Sequence, residues 1–345
     1  MMQVKLLDIF GDCAAWDAYV ERHSEATVYH QTAWGRAVVR SMGHKYFYVY
    51  VEDAGEIKGL IPLIQVKSRL FGNALISMAF ATNGGPIFDS PEVLVLLDEE
   101  CRRLSRDLGV DSLECRNMKK IHDDWPTKSE MYSTFRKTLS EDSEENMMAI
   151  PRKQRAMVRK GIKFGLNAVV DDQPNRLFAM YSESVRNLGT PVFPKKLFYC
   201  LKQEYGDNCE ILTIETEAGK AVSSVMTFYF RDEVVPYYGG GTVEARALAA
   251  NDFMYWSLMD RAVQEKKCTI FDFGRSKNGT GAFSFKKNWG FTPEALHYEY
   301  ILKDGEEIPE INPLNPKYQL MIKTWKKLPL PLANIVGPMV SRYLG

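Results

Sequence analysis

The sequence has no net charge, no paired-cysteine pattern and no long apolar run. Lys and Arg number 44 and Asp and Glu number 44, which argues against a general nucleic-acid coat, against DNA as a partner and against a polybasic anchor. Any grip on phosphate must be local. The six cysteines (Cys13, Cys101, Cys115, Cys200, Cys209 and Cys268) include no CxxC, and none stands beside a histidine at zinc-ligand spacing. Neither a disulfide framework nor a metal site is signalled, and the thiols read as reduced and mostly buried. No eighteen apolar residues run together, and the opening MMQVKLLDIFGDCAAWD carries acids where a leader would be basic, so the expected location is cytoplasmic. The five histidines (His23, His30, His44, His122 and His297) form no metal or triad pattern and read as structural.

What is present is an ordinary globular composition, 45% hydrophobic and 26% charged, over 345 residues. That length suggests roughly two domains, able to bury about three quarters of the unfolded surface. The chain also repeats itself. The stretch from Trp34 (WGRAVVRSMGHKYFYVYVEDAGEIKGLIPLIQV) and the stretch from Phe198 (FYCLKQEYGDNCEILTIETEAGKAVSSVMTFYF) share helix, strand, acidic Ala-Gly turn and strand, without gaps. The offset is 164 at both Trp34/Phe198 and Gly55/Gly219. The pattern, though not the offset, continues into a Gly-rich stretch (Asn83-Gly84-Gly85 against Gly239-Gly240-Gly241), then a helix, then a strand (112–117 against 269–276). Duplication explains the shared spacing better than two unrelated hairpins. The expected fold is α/β (α+β): two tandem domains with mixed, mostly antiparallel sheets, spanning 1–145 and 146–310, with a Pro-rich amphipathic tail at 311–345.

In the second half the Gly239–Asn251 loop leads into an expected helix at 252–267. Phe253, Trp256, Leu258, Met259 and Val263 fall broadly on one of its faces. Free N–H groups at such a junction attract anions, and small residues let a ligand approach; the glycines serve a bulge or turn equally well. The matching place in the first half, Asp89-Ser90-Pro91-Glu92, already holds negative charge, so only the second half is expected to keep an anion-receptive cleft. After the strand at 269–273, a Gly- and Ser-rich loop can bring Asp272, Arg275, Lys277, Lys286 and Lys287 together. There a cation would stabilise a developing oxyanion. The alternative is a solvated lysine face and an Asp272–Arg275 ion pair. A further basic helix, PRKQRAMVRKGIK from Pro151, places Arg152, Arg155, Arg159 and Lys163 on one side and Val158 and Ile162 on the buried side. It suits phosphate, or simply solvent beside the acidic stretch at 140–145.

The segments PRKQRAMVRKG, GTPVFPKKLF and FDFGRSKNGTGAFSFKKNWGF resemble FemAB-like proteins associated with exosortase and exopolysaccharide loci, across nearly the whole chain. The resemblance implies two Gcn5-related N-acyltransferase-like halves, the first with a degenerate donor site. It implies aminoacyl or acyl transfer to an amine of a cell-envelope glycan, peptidoglycan or exopolysaccharide precursor. It also implies a reacting-centre lysine after a phenylalanine, which is Lys286 after Phe285. Lys286 stands four residues before Gly290, where Gcn5-related enzymes often carry a tyrosine acid. The Gln/Arg-x-x-Gly-x-Gly/Ala donor loop is matched only loosely by Arg246-Ala-Leu-Ala249-Ala-Asn251.

The expected catalytic residues are therefore Lys286, Asp272 and Arg275. Expected donor contacts are Gly240, Gly241, Arg246, Ala249, Asn251, Phe285 and Lys287; expected acceptor or phosphate contacts are Arg152, Arg155, Arg159 and Tyr238. No tightly bound cofactor is expected. The long coiled-coil insertion of some tRNA-using relatives is not visible between 135 and 251, so acyl-CoA stands beside aminoacyl-tRNA as co-substrate. The other readings are a silent scaffold that binds a polysaccharide precursor and an RNA-binding protein. The tail Trp325–Gly345, apolar and preceded by lysines, suggests packing on its own domain or peripheral contact with the inner membrane face.

Overall fold

The computed structural model describes residues 1–69, 71–309 and 316–345. The chain divides into two compact units. One comprises Met1–Tyr132, Ala295–Ile311 and Ser341–Gly345; the other comprises Ser133–Glu294 and Asn312–Val340. In chain order the first half supplies β1 (Gln3–Leu7), α1 (Ala14–Arg22), α2 (Thr32–Met42), β2 (Lys45–Asp53), β3 (Glu56–Ser68), β4 (Gly72–Ser77), β5 (Ile87–Phe88), α3 (Pro91–Asp107), β6 (Ser112–Asn117) and β7 (Thr127–Lys128). There follow β8 (Tyr132–Thr138), α4 (Ser143–Ala149), α5 (Arg152–Lys163), β9 (Asn167–Asp171), α6 (Asn175–Leu188), α7 (Lys195–Tyr205), β10 (Cys209–Glu215), β11 (Ala221–Phe230) and β12 (Glu233–Gly241). The chain closes with α8 (Ala250–Gln264), β13 (Ile270–Asp272), β14 (Ser276–Lys277), α9 (Gly281–Asn288), β15 (Pro293–Ala295), β16 (His297–Leu302), α10 (Pro316–Lys326) and α11 (Leu330–Ser341).

The duplication is borne out in topology. One sheet runs β1-β2-β3-β4-β6-β16-β7 and the other β9-β10-β11-β12-β13-β8-β14, so the same strands stand in the same places. The hairpins turn at Gly55 and Gly219, both at positive φ (86° and 75°): Gly55 follows Ala54 (φ 50°) in a two-residue turn, whereas Gly219 ends a three-residue loop closed by the Thr216 N–H donating to Lys220 O. The domain limits differ from those expected at 145 and 310, because the sixth strand of each sheet comes from the other half of the chain. β16 pairs with β6 from His297↔Asn117 to Leu302↔Ser112, and β8 pairs with β13.

Each unit has its own core. In the first, α3 buries Val93, Leu97, Cys101 and Leu104, one helical stripe, against Val49, Ile61, Leu75 and Leu113 of the sheet. In the second, α8 buries Met254, Leu258, Met259, Ala262 and Val263 against Val225, Phe271 and Phe273. Phe253 and Trp256, expected on that face, are only partly buried. The helix starts two residues earlier and stops three earlier than expected. All six cysteines are free and buried.

The returning strand is fastened by a buried charge cluster. Glu299 Oε1 accepts from the Ile121 and His122 N–H groups at 3.1 and 2.9 Å. His122 meets Glu299 through Nδ1 and Asp98 through Nε2, each at 3.1 Å, and stacks on Trp125 at 3.7 Å. Burial alone would lower the imidazole pKa, but the hydrogen bonds to Asp98 and Glu299 outweigh it and raise it to about 9. A raised folded pKa contributes stability below the unfolded value of about 6.5 and loses it as pH rises through about 9. Between pH 6.5 and 9.5 the unfolding free energy of this unit is expected to fall by roughly 1–3 kcal/mol in urea titrations, and His122→Gln to flatten that dependence.

Candidate active site

In the second unit, neighbouring parallel strands separate. β13 pairs with β12 only at Glu233↔Ile270 and Val234↔Phe271. On its other side β12 follows β11 with a register shift, Pro236 opposite Thr227 and Tyr238 opposite Met226, so Tyr237 is the extra residue of a β-bulge. Pro236 has no N–H to give to a ladder, which fits it to this irregular stretch. Beyond Val234 the edge of β12 toward β13 pairs with no strand among the described residues. Its backbone groups there can bind an extended ligand.

The first unit handles the same place differently. β4 and β6 pair at three positions, Ala74↔Ser112 to Ile76↔Glu114. Arg116 N–H then donates to Ser77 Oγ at 2.7 Å, and Arg116 O accepts from the Gly84 and Gly85 N–H groups at 3.1 and 3.0 Å. The Arg116 guanidinium donates to Ala81 O and Gly345 O. The gap is thus filled by the chain's own loop. Ser90 precedes α3 with Glu92 in its first turn, and Asp89 Oδ1 accepts from Tyr19 at 2.8 Å.

The glycines of the second unit lie within β12 and not in a turn. A Cβ on Gly240 would meet Met180 O at 2.7 Å and Tyr181 Cα at 2.8 Å, so this glycine lets α6 lie directly on the strand. Gly240→Ala is expected to destabilise the second unit by about 1–3 kcal/mol by overpacking, measured by urea denaturation. A Cβ on Gly241 would stand 2.8 Å from Ala245 Cβ and 3.0 Å from Asn251 Oδ1, at the turn into α8. That helix begins after Ala249, a residue at φ 56° with no side chain able to cap it. The acid of its first turn, Asp252, accepts from its own N–H, so only the N–H groups before it are left to meet an anion. Asn251 Oδ1 and Thr242 Oγ1 are buried there with no hydrogen-bond partner. Arg246 is exposed. Asp252 turns inward, where it accepts from Gln154 Nε2 at 3.1 Å and Trp289 Nε1 at 3.0 Å, and burial raises its pKa.

Lys286 lies at the end of β13. Thr280 caps α9 by accepting from the Phe283 N–H, and Phe283 and Phe285, both partly buried, pack on the core. Lys286 follows with its amine turned inward. Nζ donates to Gly274 O at 2.8 Å and Arg275 O at 3.0 Å, with the rings of Phe135 and Phe273 at 5.5 and 5.8 Å. Burial lowers its pKa to about 7, with Asp272 pulling it up and Arg275 pushing it down. Asp272 is buried too. It accepts from Gly274 N–H at 2.7 Å and Thr134 Oγ1 at 3.2 Å, and it lies 3.8 Å from Arg136 Nε. Burial raises its pKa, with Arg136 opposing. Lys286 is therefore no part of a solvated face, whereas Lys287 is exposed.

Tyr238, just past the bulge, is buried among Tyr181, Phe193, Phe198 and Tyr237, and its hydroxyl has no partner. Burial pushes its pKa well above 10, with Arg275 the one opposing charge. The hydroxyl therefore remains a donor at neutral pH. Ser276, which sequence reasoning missed, is also buried with an unpartnered Oγ. An unsatisfied buried hydroxyl costs about 1–3 kcal/mol, a cost that a ligand can remove.

The remaining expected residues lie apart. On α5, Gln154, Val158 and Gly161 are buried, but Ile162, expected beside Val158, is exposed. Arg152 and Arg159 are exposed, and Arg155 Nη1 donates to Met148 O at 2.8 Å. Phe285 packs against Tyr255, Phe273 and Trp289, so it supports Lys286 from the core.

Two copies of one α/β unit, one with an open gap between parallel strands and one with that gap filled, define a tandem Gcn5-related N-acyltransferase (GNAT) fold. Residues 149–287 match the family described as "Acetyltransferase (GNAT) domain". Among solved structures, the chain is similar to FemX, at 14% identity and TM-score 0.67, covering 93% of this chain and 100% of that one. It is also similar to a tandem GNAT protein from the clavulanic acid biosynthesis pathway, at 10% identity and TM-score 0.54, covering 89% and 100%. N-myristoyltransferase of Saccharomyces cerevisiae with bound myristoyl-CoA is similar at 10% identity and TM-score 0.50, covering 88% and 80%. No curated protein matches.

Proposed function

We propose that the second unit is an acyltransferase that forms an amide on an amine of a cell-envelope glycan or its precursor, with acyl-CoA as donor. The observation that carries this reading is the half-buried Lys286 amine beside the separated ends of β12 and β13. The free edge of β12 suits the amide-bearing arm of the donor, and the uncapped start of α8 suits its pyrophosphate. The acceptor nitrogen attacks the thioester carbonyl, the C–N bond forms and the C–S bond breaks. A protonated Lys286 steadies the oxyanion and gives its proton to the departing thiolate, while the proton of the acceptor nitrogen leaves through solvent or substrate. Tyr238 and Ser276 orient acceptor hydroxyl or phosphate groups. Arg152 and Arg159, with Lys163, present a basic face to a phosphate on the acceptor. An aminoacyl-tRNA donor, which the FemAB-like resemblance implies, would place its terminal phosphates on that face.

The experiment combines the protein with acetyl-CoA and amino sugars and follows thiol release together with the mass of the N-acylated product. Turnover is expected, and kcat/KM calculated on the unprotonated fraction of the acceptor amine should fall as pH rises through about 7, because the active lysine is the protonated one. Thiol release at the rate of the protein-free control for every donor and acceptor, with glycan still bound, would favour the scaffold reading.

A further inference from the structure

The last two helices present an apolar surface that the transfer site does not use. A Cβ on Gly189 would touch Ile322 of α10, and one on Gly337 of α11 would lie 3.0 Å from Val192 N. Both helices therefore rest on the segment after α6, α10 over residue 189 and α11 over residue 192. Ala333 and Gly337, one turn apart, are the buried side of α11. The opposite side is apolar and bare: Leu332, Ile335 and Met339 are exposed, Ile335 by 68%, as are Leu320 and Met321 of α10. Large apolar side chains in such a row mark a contact surface.

Charge identifies what covers it. In a chain of zero net charge, residues 316–345 hold four lysines, one arginine and no Asp or Glu. Lys323, Lys326 and Lys327 are exposed around the end of α10. Neither helix can cross a bilayer: no helix among the described residues is long and apolar enough. Short helices with bare apolar side chains and a lysine border suit the plane of a bilayer surface instead, apolar groups among the acyl chains and ammonium groups at the headgroups.

We propose that α10 and α11 dock the second unit on an anionic lipid surface. The test is co-sedimentation of the full chain with phosphatidylcholine vesicles containing or lacking phosphatidylglycerol. Binding is expected only with the anionic lipid. It should weaken with added salt and fall by roughly fivefold for each of Lys323→Glu and Lys327→Glu. Ile335→Glu with Met339→Glu should abolish it while circular dichroism stays unchanged, since both side chains are exposed. Protein that stays in the supernatant with anionic vesicles overturns the proposal. So does binding that the double variant retains. Concentration-dependent self-association without vesicles, removed by the same double variant, would assign the surface to a second copy of the chain and overturn it too.

Discussion

Lys286→Ala is expected to lower kcat by about 10²–10³-fold, the usual effect of removing one preorganised oxyanion donor. The affinity for donor should change little, because the residues that suit the donor lie on β12 and α8. Stability should move by no more than about 1 kcal/mol. The substitution leaves the carbonyls of Gly274 and Arg275 without their lysine, but it also removes an ammonium group whose burial disfavours its charge. Lys286→Met, which keeps most of the volume and no charge, should be equally inactive. Lys286→Arg should retain some activity and shift the alkaline decline away from pH 7, since a guanidinium stays protonated there. Near-normal turnover by the alanine variant, with its decline still near pH 7, would remove Lys286 from the reaction. Steady-state kinetics beside urea denaturation make the distinction.

Glu299→Ala should have the largest effect on stability, about 3–5 kcal/mol, because it strips a buried charge cluster of its central acceptor. The Ile121 and His122 N–H groups and the Asn117 amide would lose their acceptor, and the His122 cation would keep Asp98 alone. The loss should be confined to one unit. Amide exchange is expected to accelerate across 112–125 and 297–302 while the core strands of the other unit, β10 and β11, keep their protection. A cost below about 1 kcal/mol would mean that the strand pairing of β16 with β6, and not this cluster, holds the returning strand.

The duplicated fold was legible in the sequence because hairpin, turn and helix are local, and their spacing survives as the offset of 164 between Gly55 and Gly219. The strand exchange was not. β8 and β16 are short strands, each burying three residues in a row, and nothing local says which sheet a strand will join. The bulge had a cue that went unused, since Pro236 inside an apolar run argues against an uninterrupted central strand. Lys286 could be chosen from the Phe-Lys pair, but its burial beside Phe135, 151 positions away, and the two carbonyls at 274–275 that hold its amine are products of the fold. Ile162 was misplaced because helical spacing gives the face of a residue but not how far the covering element reaches. Ser276 and Thr242 went unnoticed because a small hydroxyl residue carries no pattern; their significance lies in having no partner once folded.

The central claim is that the gap between β12 and β13, and not its counterpart between β4 and β6, receives the donor. Amide hydrogen exchange with and without acetyl-CoA tests it directly. Protection is expected at 238–241 and 249–252, with 84–92 unchanged; protection at 84–92 with none at 238–252, or acyl transfer with no protection at 238–252, would contradict it.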